Sequence, residues 1–282
     1  MSTPAEVAAA GQLACLLEVS APKPGNVSPG LHFHDTRYED FLASAVAIGP
    51  ALAGAAERPL GTTIRRAVED TRRWTGSNTN LGIVLLLAPL ARAALRPGGP
   101  LRERLAQTLA ETTVADAAEV YSAIRYVRPG GLGEAAAEDV SEPPSVTLRE
   151  AMGLAAERDA IAREYVTDFE LTFEVGVPAI RAARRDGLAW TDSAVDAYLK
   201  LLESTPDTHI ARKLGKTEAD AVSQRAREIL RAGGTRSAKG RQALASLDAE
   251  LRDPRNRRNP GTTADLTCAG LFVVILEGGW DR

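Results

Sequence analysis

Apolar residues recur at helical spacing along nearly the whole chain, and no segment sustains the two-residue alternation that is typical of a strand. Phe41, Leu42, Ala45 and Ile48, for example, form one stripe of a helix that opens at Thr36. We therefore predict an all-α protein of roughly 10–13 helices. A further helix opens at Thr147, and the others are predicted at about 4–19, 61–74, 80–95, 101–110, 113–126, 159–185, 191–204, 209–214, 216–232, 237–251 and 262–277.

The 282 residues are enough for one large helical domain or for two smaller domains. Residues 128–144, which are rich in Gly, Pro, Ala and acids, are predicted to form a surface excursion that serves as a linker or a lid. Polar motifs lie on both sides of this stretch, and two independent domains would separate them. We therefore predict a single compact multi-helix domain over residues 1–282.

The composition excludes several classes of protein. With 34 basic and 37 acidic residues, the formal charge of -3 gives no general electrostatic footprint for nucleic acid. The apolar runs at 81–90 and 266–276 are shorter than the roughly 20 residues that span a bilayer, so we expect buried helices and no membrane partner. The N-terminus lacks the pattern of a signal peptide, and Cys15 and Cys268 are isolated, which predicts a cytoplasmic protein with two small core thiols.

Four polar segments directly precede or open apolar helices, at residues 23–35, 76–82, 205–213 and 259–265. The start of a helix offers unpaired N–H groups and a partial positive charge, which favour phosphate oxygens. The first segment also holds two of the three histidines. Each segment also has a purely structural explanation. The first could be a long loop, the second a turn and helix cap, the third a solvated charged helix, and the fourth an acid that the helix dipole favours.

The third segment places an acid, a hydroxyl and three potential cations within about two helical turns. In the fourth, Asp265 begins a nearly uncharged run, so we expect its carboxylate to be buried beside a metal or a basic group. The basic stretch Arg252–Arg258 is either a plain loop or a contact for an anionic substrate. The chain has no Walker loop, dinucleotide fingerprint, nucleophile elbow or His-Glu-x-x-His motif.

The ordered set of segments resembles the triphosphoribosyl-dephospho-CoA synthase family, helical enzymes that make the prosthetic-group precursor of citrate and malonate lyases. The resemblance covers most of the chain. It rests on Lys-Pro-Gly-x-Val at 23–27, His32 to Asp35, Phe41 to Ala45, Asn78-Thr79-x-x-Gly82, Asp207-Thr208, and Pro260-Gly261 through Ala264-Asp265.

This resemblance implies that ATP gives its triphosphoribosyl group to the 2′-hydroxyl of 3′-dephospho-CoA and that adenine departs through an oxocarbenium-like transition state. It implies small-molecule nucleotide substrates, a Mg²⁺ ion and, as an option, a homodimer. The expected catalytic residues are His34, Asp35, Asp207, His209 and Asp265, and the acids Asp35, Asp207 and Asp265 are also the expected metal ligands. The expected substrate contacts are Lys23, Gly25, Asn26, His32, Asn78, Thr79, Gly82, Thr208, Arg212, Lys213, Gly261 and Thr262.

Two departures from the family pattern leave the acceptor open. Asn80-Leu81 stands where lyase-linked members typically have His-Lys, and His209-Ile210 stands where Asn-Leu is usual. These changes allow transfer of a phosphorylated ribosyl unit to another acceptor, such as a pterin-type cofactor precursor. The sequence is also compatible with a hydrolase that cleaves an N-glycosidic or phosphate bond and with a non-catalytic nucleotide-binding protein.

Overall fold

A computed structural model describes residues 2–127, 129 and 137–280. These residues form fifteen α-helices and no strand, which confirms the all-α fold. The helices are α1 (Pro4–Ser20), α2 (Tyr38–Ala47), α3 (Gly49–Ala53), α4 (Leu60–Arg72), α5 (Leu81–Ala94), α6 (Leu101–Ala110), α7 (Val114–Val127), α8 (Leu148–Ala155), α9 (Ala160–Thr167), α10 (Val177–Arg185), α11 (Trp190–Ser204), α12 (Thr208–Leu214), α13 (Lys216–Arg231), α14 (Ala238–Leu251) and α15 (Gly261–Leu276).

Local sequence explains where several helices begin and which are most buried. The capping box predicted at Thr147 is present, since the Thr147 side chain accepts from the N–H of Glu150 and the Glu150 side chain accepts from the N–H of Thr147. The apolar helices α5 and α15 are buried over most of their length. Across the described residues, no helix combines the length and the apolar character that a membrane span requires.

Contacts divide the chain into two compact units. Unit 1 comprises Met1–Cys15 and Asp40–Glu170. Within it, α4 packs on α7, where Gly61 N–H donates to Oδ1 of Asp116 at 2.7 Å. Unit 2 comprises Leu16–Glu39 and Leu171–Arg282, and there α11 packs against α10, α13 and α15. The single domain over residues 1–282 stays a prediction.

The continuous helix expected over residues 159–185 is wrong. Helix α9 ends before Asp168 and Phe169, whose φ angles of 51° and 60° are left-handed. A π-helix over Leu171–Gly176 follows, and α10 then carries Pro178 at its second position. Proline inside a continuous helix would lack one N–H donor and clash with the preceding turn. This break and the short α3 bring the number of helices above the roughly 10–13 expected.

The predicted excursion at 128–144 is described only in part, because Arg128 and residues 130–136 lie outside the described residues. Residues 137–144 contain bends and turns without a helix. Their role as a linker or a lid stays a prediction. Both cysteines, in contrast, are buried and form no disulfide, as the sequence predicts.

Candidate functional site

The turn after α1 begins with a fully buried lysine. Lys23 has 1% of its surface exposed, and its Nζ lies 2.9 Å from Oε1 of Glu18. The same ammonium group donates to the carbonyl oxygens of Glu18 and Ala21. Since burying an unpaired charge is costly, this pairing explains why lysine is stable here. The pairing also leaves the ammonium group of Lys23 directed at the protein interior instead of at a phosphate.

Gly25 and Asn26 are held by a charged pair at the end of α14. Gly25 N–H donates to Oδ1 of Asp248 at 2.8 Å, and the carbonyl oxygen of Asn26 accepts from Nη2 of Arg252 at 3.0 Å. Arg252 also donates to both carboxylate oxygens of Asp248, at 2.7 and 2.8 Å. Because a guanidinium and a carboxylate form a planar two-point contact, this pair fixes the backbone of the turn.

Tyr198 on α11 holds the same turn from a second direction. Its hydroxyl donates to the carbonyl oxygen of Pro24 at 2.8 Å and accepts from Nδ2 of Asn26 at 3.3 Å. Burial raises the pKa of Tyr198, so the hydroxyl remains protonated and able to donate. The Lys-Pro-Gly-Asn motif is thus a rigid turn in which lysine and asparagine have internal partners.

The histidines of the first segment are exposed. A Pro29-Gly30 turn, closed by paired backbone hydrogen bonds between Ser28 and Leu31, precedes them. Nδ1 of His32 accepts from the N–H of Tyr38 at 3.1 Å.

His34 lies between an acid and an amide. Its Nε2 is 3.7 Å from Oδ2 of Asp35, and its Nδ1 is 2.9 Å from Nδ2 of Asn256. The side chains of His34 and Asp35 are 59% and 62% exposed, so both are open to a substrate. They are the predicted catalytic residues that solvent reaches most easily.

Asp207 lies at the start of two helices and is 1% exposed. Its Oδ1 accepts from the N–H groups of His209 and Ile210 at 2.9 and 3.0 Å, which caps α12. Its Oδ2 accepts from N–H and Oγ1 of Thr263 at 2.8 and 2.7 Å, which caps α15. Burial raises the pKa of this carboxyl group, while the hydrogen bonds act in the opposite direction. Each oxygen accepts two hydrogen bonds, so the Asp207 carboxylate links the start of α12 to the start of α15.

The residues after Asp207 bring the third and fourth segments together. Oγ1 of Thr208 donates to Oγ1 of Thr262 at 3.1 Å. The ring of His209 lies against Gly261, and its Nε2 has no hydrogen-bond partner among the described residues. Burial and then the charges of Lys213 and Arg212 lower the pKa of His209 to about 3. His209 is therefore neutral near pH 7 and does not supply a proton as an imidazolium.

Lys213 is a half-buried cation in the last turn of α12. Burial, followed by the charge of Arg212, lowers the pKa of its ammonium group, whereas Asp253, Asp35 and Asp207 act to raise it. The net effect is a lower pKa than that of an exposed lysine. Arg212 lies beside it in the same helical turn, so two cations follow the third segment's cap.

The expectation that Asp265 is buried is wrong, because its side chain in the first turn of α15 is only partly buried. The apolar run that follows it is buried around the whole helix, as the sequence predicts. Within the described ranges, no three His, Cys, Asp or Glu residues are grouped so that they could hold a metal ion. Asp35, Asp207 and Asp265 therefore form no metal site by themselves.

The second segment lies in unit 1, whereas the other predicted contacts all belong to unit 2. Oδ1 of the exposed Asn78 accepts from the N–H of Leu81 at 3.3 Å, while Oγ1 of the buried Thr79 lies 2.5 Å from Oγ of Ser44. Gly82 occupies the first turn of α5.

One of the two departures from the family pattern has a structural role. Asn80 is buried, and its Nδ2 donates to Oγ1 of Thr71 at 3.0 Å. The polar group at this position therefore faces the packing between α4 and the start of α5 instead of a ligand.

Three residues that complete the three segments of unit 2 were not predicted from the sequence: Glu18, Tyr198 and Asp248. Glu18 offered a usable signal, because an acid amid the apolar residues of α1 needs a buried partner. Asp248 and Tyr198 offered none, since they are far from the turn in sequence. Thr263 was within a predicted segment, and only the fold reveals that it donates to Asp207.

Three of the predicted polar segments thus meet within unit 2, at the starts of α12 and α15. The chain belongs to the ATP:dephospho-CoA triphosphoribosyl transferase family, whose model matches residues 4–282. It is therefore a member of a family of transferases, which confirms the resemblance seen in the motifs.

Individual relatives agree with this family. The chain is 27% identical to the 2-(5''-triphosphoribosyl)-3'-dephosphocoenzyme-A synthase of Klebsiella pneumoniae, over 94% of this chain and 92% of that protein. A protein of Stutzerimonas stutzeri that is assigned the same name is also 27% identical, over 91% and 86%. A crystal structure assigned as a triphosphoribosyl-dephospho-CoA synthase of Archaeoglobus fulgidus has a TM-score of 0.68 and 29% identity, and the match covers 86% of this chain and 99% of that one. None of these names supports a hydrolase or a pterin-type acceptor.

Proposed function

We propose that this chain transfers the triphosphoribosyl group of ATP to the 2′-hydroxyl of 3′-dephospho-CoA and releases adenine. The observation that carries the proposal is the family match, which spans every polar segment of the chain. ATP as a substrate and small-molecule nucleotides as partners are consistent with that family.

The reaction needs no oxidant or reductant. The bond between C1′ of the ATP ribose and N9 of adenine breaks, while the acceptor oxygen forms a bond to C1′. The acceptor hydroxyl loses one proton, and the departing adenine gains one. A catalyst must therefore accept a proton on one side of C1′ and stabilise the triphosphate during the transfer.

Asp35 and His34 are the groups best placed for proton transfer. Both are exposed, and the Nε2 of His34 is within 3.7 Å of the Asp35 carboxylate. Asp207 instead accepts four hydrogen bonds, and His209 is a neutral group, so neither is set up to exchange a proton readily. In this mechanism, Asp35 accepts the hydroxyl proton and His34 assists adenine departure.

Magnesium fits this site only together with the triphosphate. Mg²⁺ commonly keeps several waters and binds one or two carboxylates plus substrate phosphates. The exposed carboxylate of Asp35 meets that need, whereas both oxygens of Asp207 are engaged. When bound, the ion would neutralise charge on the triphosphate. A homodimer and a cytoplasmic location stay predictions from the sequence.

Acceptor-dependent release of adenine tests the proposed activity. Purified protein is incubated with ATP and Mg²⁺, with and without 3′-dephospho-CoA, and adenine is measured by chromatography. We expect adenine only when dephospho-CoA is present. Adenine without an acceptor would identify an N-glycoside hydrolase, and intact ATP with dephospho-CoA present would overturn the proposal.

The matched variants Asp35→Asn and Asp220→Asn test the proton acceptor. Asp220 is an exposed acid on α13 in the same unit, and it lies outside the predicted segments. Loss of a general base typically lowers kcat by about 10²–10⁴-fold, which we expect for Asp35→Asn alone. Equal rates for Asp35→Asn and the parent protein would remove Asp35 from the mechanism.

A further inference from the structure

The basic loop, residues Arg252–Arg258, connects α14 to α15 and is organised by one carboxylate. Oδ1 of Asp253 accepts from the N–H of Arg255 at 2.9 Å, and Oδ2 accepts from the N–H groups of Arg257 and Arg258 at 2.7 and 3.0 Å. Burial acts to raise the pKa of Asp253, but these donors outweigh it and the net shift is downward. Asp253 therefore remains charged and keeps the loop in one conformation.

Two contacts attach the basic loop to the first polar segment. Arg252 donates to the carbonyl oxygen of Asn26 at 3.0 Å, and Nδ2 of Asn256 is 2.9 Å from Nδ1 of His34. Arg255 lies between these two attachment points in the chain. The fold therefore holds Arg255 beside the segment that contains the exposed His34 and Asp35.

The four arginines of the basic loop differ in their partners. Arg252 pairs with Asp248, Arg257 with Asp253 at 3.7 Å, and Arg258 with Glu218 at 2.5 Å. The guanidinium of Arg255 has no carboxylate partner among the residues that the structure describes, and the residue is exposed. Its charge is therefore free to attract an anion.

The phosphates of the substrates require cations that the expected lysine does not provide. Lys23 is buried against Glu18, which directs its ammonium group into the protein. Lys213, in the last turn of α12, is half-buried, and burial lowers the pKa of its ammonium group. A guanidinium suits phosphate because its planar array of donors can bind two oxygens at once.

We propose that Arg255 is a substrate-binding residue that contacts a polyphosphate, either the triphosphate of ATP or the diphosphate of dephospho-CoA. This inference rests on the proposed function for the identity of the substrates. The shared ligand chemistry is a short chain of phosphate groups, which inorganic tripolyphosphate also carries.

Calorimetric binding of tripolyphosphate tests the contact without requiring transfer. Arg255→Gln is compared with Arg185→Gln, which removes an exposed arginine of α10 that also lacks a carboxylate partner in the described part of unit 2. We expect Arg255→Gln to weaken binding about tenfold, Arg255→Lys to weaken it less, and Arg185→Gln to change it less than about twofold. No binding by the parent protein, or equal binding by all variants, would overturn the inference.

Steady-state kinetics then identify the substrate that Arg255 contacts. A rise of about tenfold in KM for ATP alone assigns the triphosphate, and the same rise for dephospho-CoA alone assigns the diphosphate. We expect kcat to stay within about twofold, because the charge binds both ground and transition states. If the parent protein binds tripolyphosphate through Arg255 but transfers nothing, the proposed function fails while this contact stands. An unchanged KM for both substrates would contradict the contact.

Discussion

Single positions in the first polar segment show how much of a motif serves the fold. Gly25 has a φ of +76°, and a Cβ there would lie 2.9 Å from Cβ of Leu251 and 3.1 Å from Cδ of Pro260. Glycine is thus required both by the backbone conformation and by the close approach of two segments. Lys23, in the same motif, is required by its ion pair with Glu18.

Alanine at Gly25 and at Gly30 separates these two requirements. Gly30 has a similar φ of +79°, but its missing Cβ would meet nothing within 4 Å. Left-handed alanine costs about 1–2 kcal/mol, and overpacking adds about 1–3 kcal/mol. We expect urea denaturation to show the smaller loss for Gly30→Ala and the summed loss for Gly25→Ala. Equal losses would contradict the close packing around Gly25.

His209 predicts a pH dependence of stability. Its pKa is about 3 in the folded chain, below the ordinary value of 6.5. The unfolded state therefore binds a proton that the folded state does not as the pH falls below 6.5, and stability is lost at up to about 1.4 kcal/mol per pH unit.

The variant His209→Gln tests this dependence because glutamine does not titrate. We expect its unfolding free energy to fall less steeply than that of the parent protein between about pH 7 and pH 5. The comparison is made by urea denaturation at each pH, so any constant cost of the substitution cancels in the slope. Parallel slopes would show that His209 is not buried as a neutral group.

Among the helices, α12 and α15 share a single cap. Most N-caps satisfy the first turn of one helix, as Asp159 does for α9. Asp207 satisfies the first turn of α12 and also donors at the first turn of α15. The Asp-Thr motif at 207–208 and the Gly-Thr-Thr motif at 261–263 therefore belong to one hydrogen-bonded contact, which holds the starts of two helices together in unit 2.

Removing the shared cap should cost more than removing a single one. Asp159→Ala should lower the unfolding free energy by about 1 kcal/mol, the usual value for a cap. Asp207→Ala should cost roughly 3 kcal/mol or more, since it also leaves the buried donors of Thr263 without a partner. Thermal and urea denaturation provide the comparison. A similar loss for both variants would contradict the role of Asp207 as a shared cap.

Helix positions could be predicted largely from apolar spacing, because most helices bury one face or are buried throughout. The segment 159–185 failed for a physical reason. Two left-handed residues, Asp168 and Phe169, are not encoded in hydrophobic spacing, and neither glycine nor asparagine marks the turn. Pro178 was the available signal for a new helix start.

Over the whole chain, the polar segments could be located from the sequence, but the roles of their residues could not. The partners of the first segment, such as Tyr198 and Asp248, come from helices far away in the sequence. No local pattern indicates that Lys23 forms a buried ion pair or that Asp207 accepts hydrogen bonds from two helix starts. Nor does any local pattern indicate that Asp265 is only partly buried. The proposed chemistry therefore rests on His34, Asp35 and Arg255, which are exposed.

The family match over residues 4–282 makes the acceptor the central question for the whole molecule. The departure at Asn80 is explained by packing within unit 1, so it does not require a different acceptor. The departure at His209 changes a partly buried position beside Gly261. Transfer to dephospho-CoA therefore remains the activity to test.

The mass of the product tests this account most directly. ATP, Mg²⁺ and 3′-dephospho-CoA are incubated with the full chain, and the acceptor is analysed by mass spectrometry. We predict that dephospho-CoA gains one triphosphoribosyl group with all three phosphates retained, together with an equal amount of free adenine. Unchanged dephospho-CoA in the presence of a folded, ATP-binding protein would contradict the account.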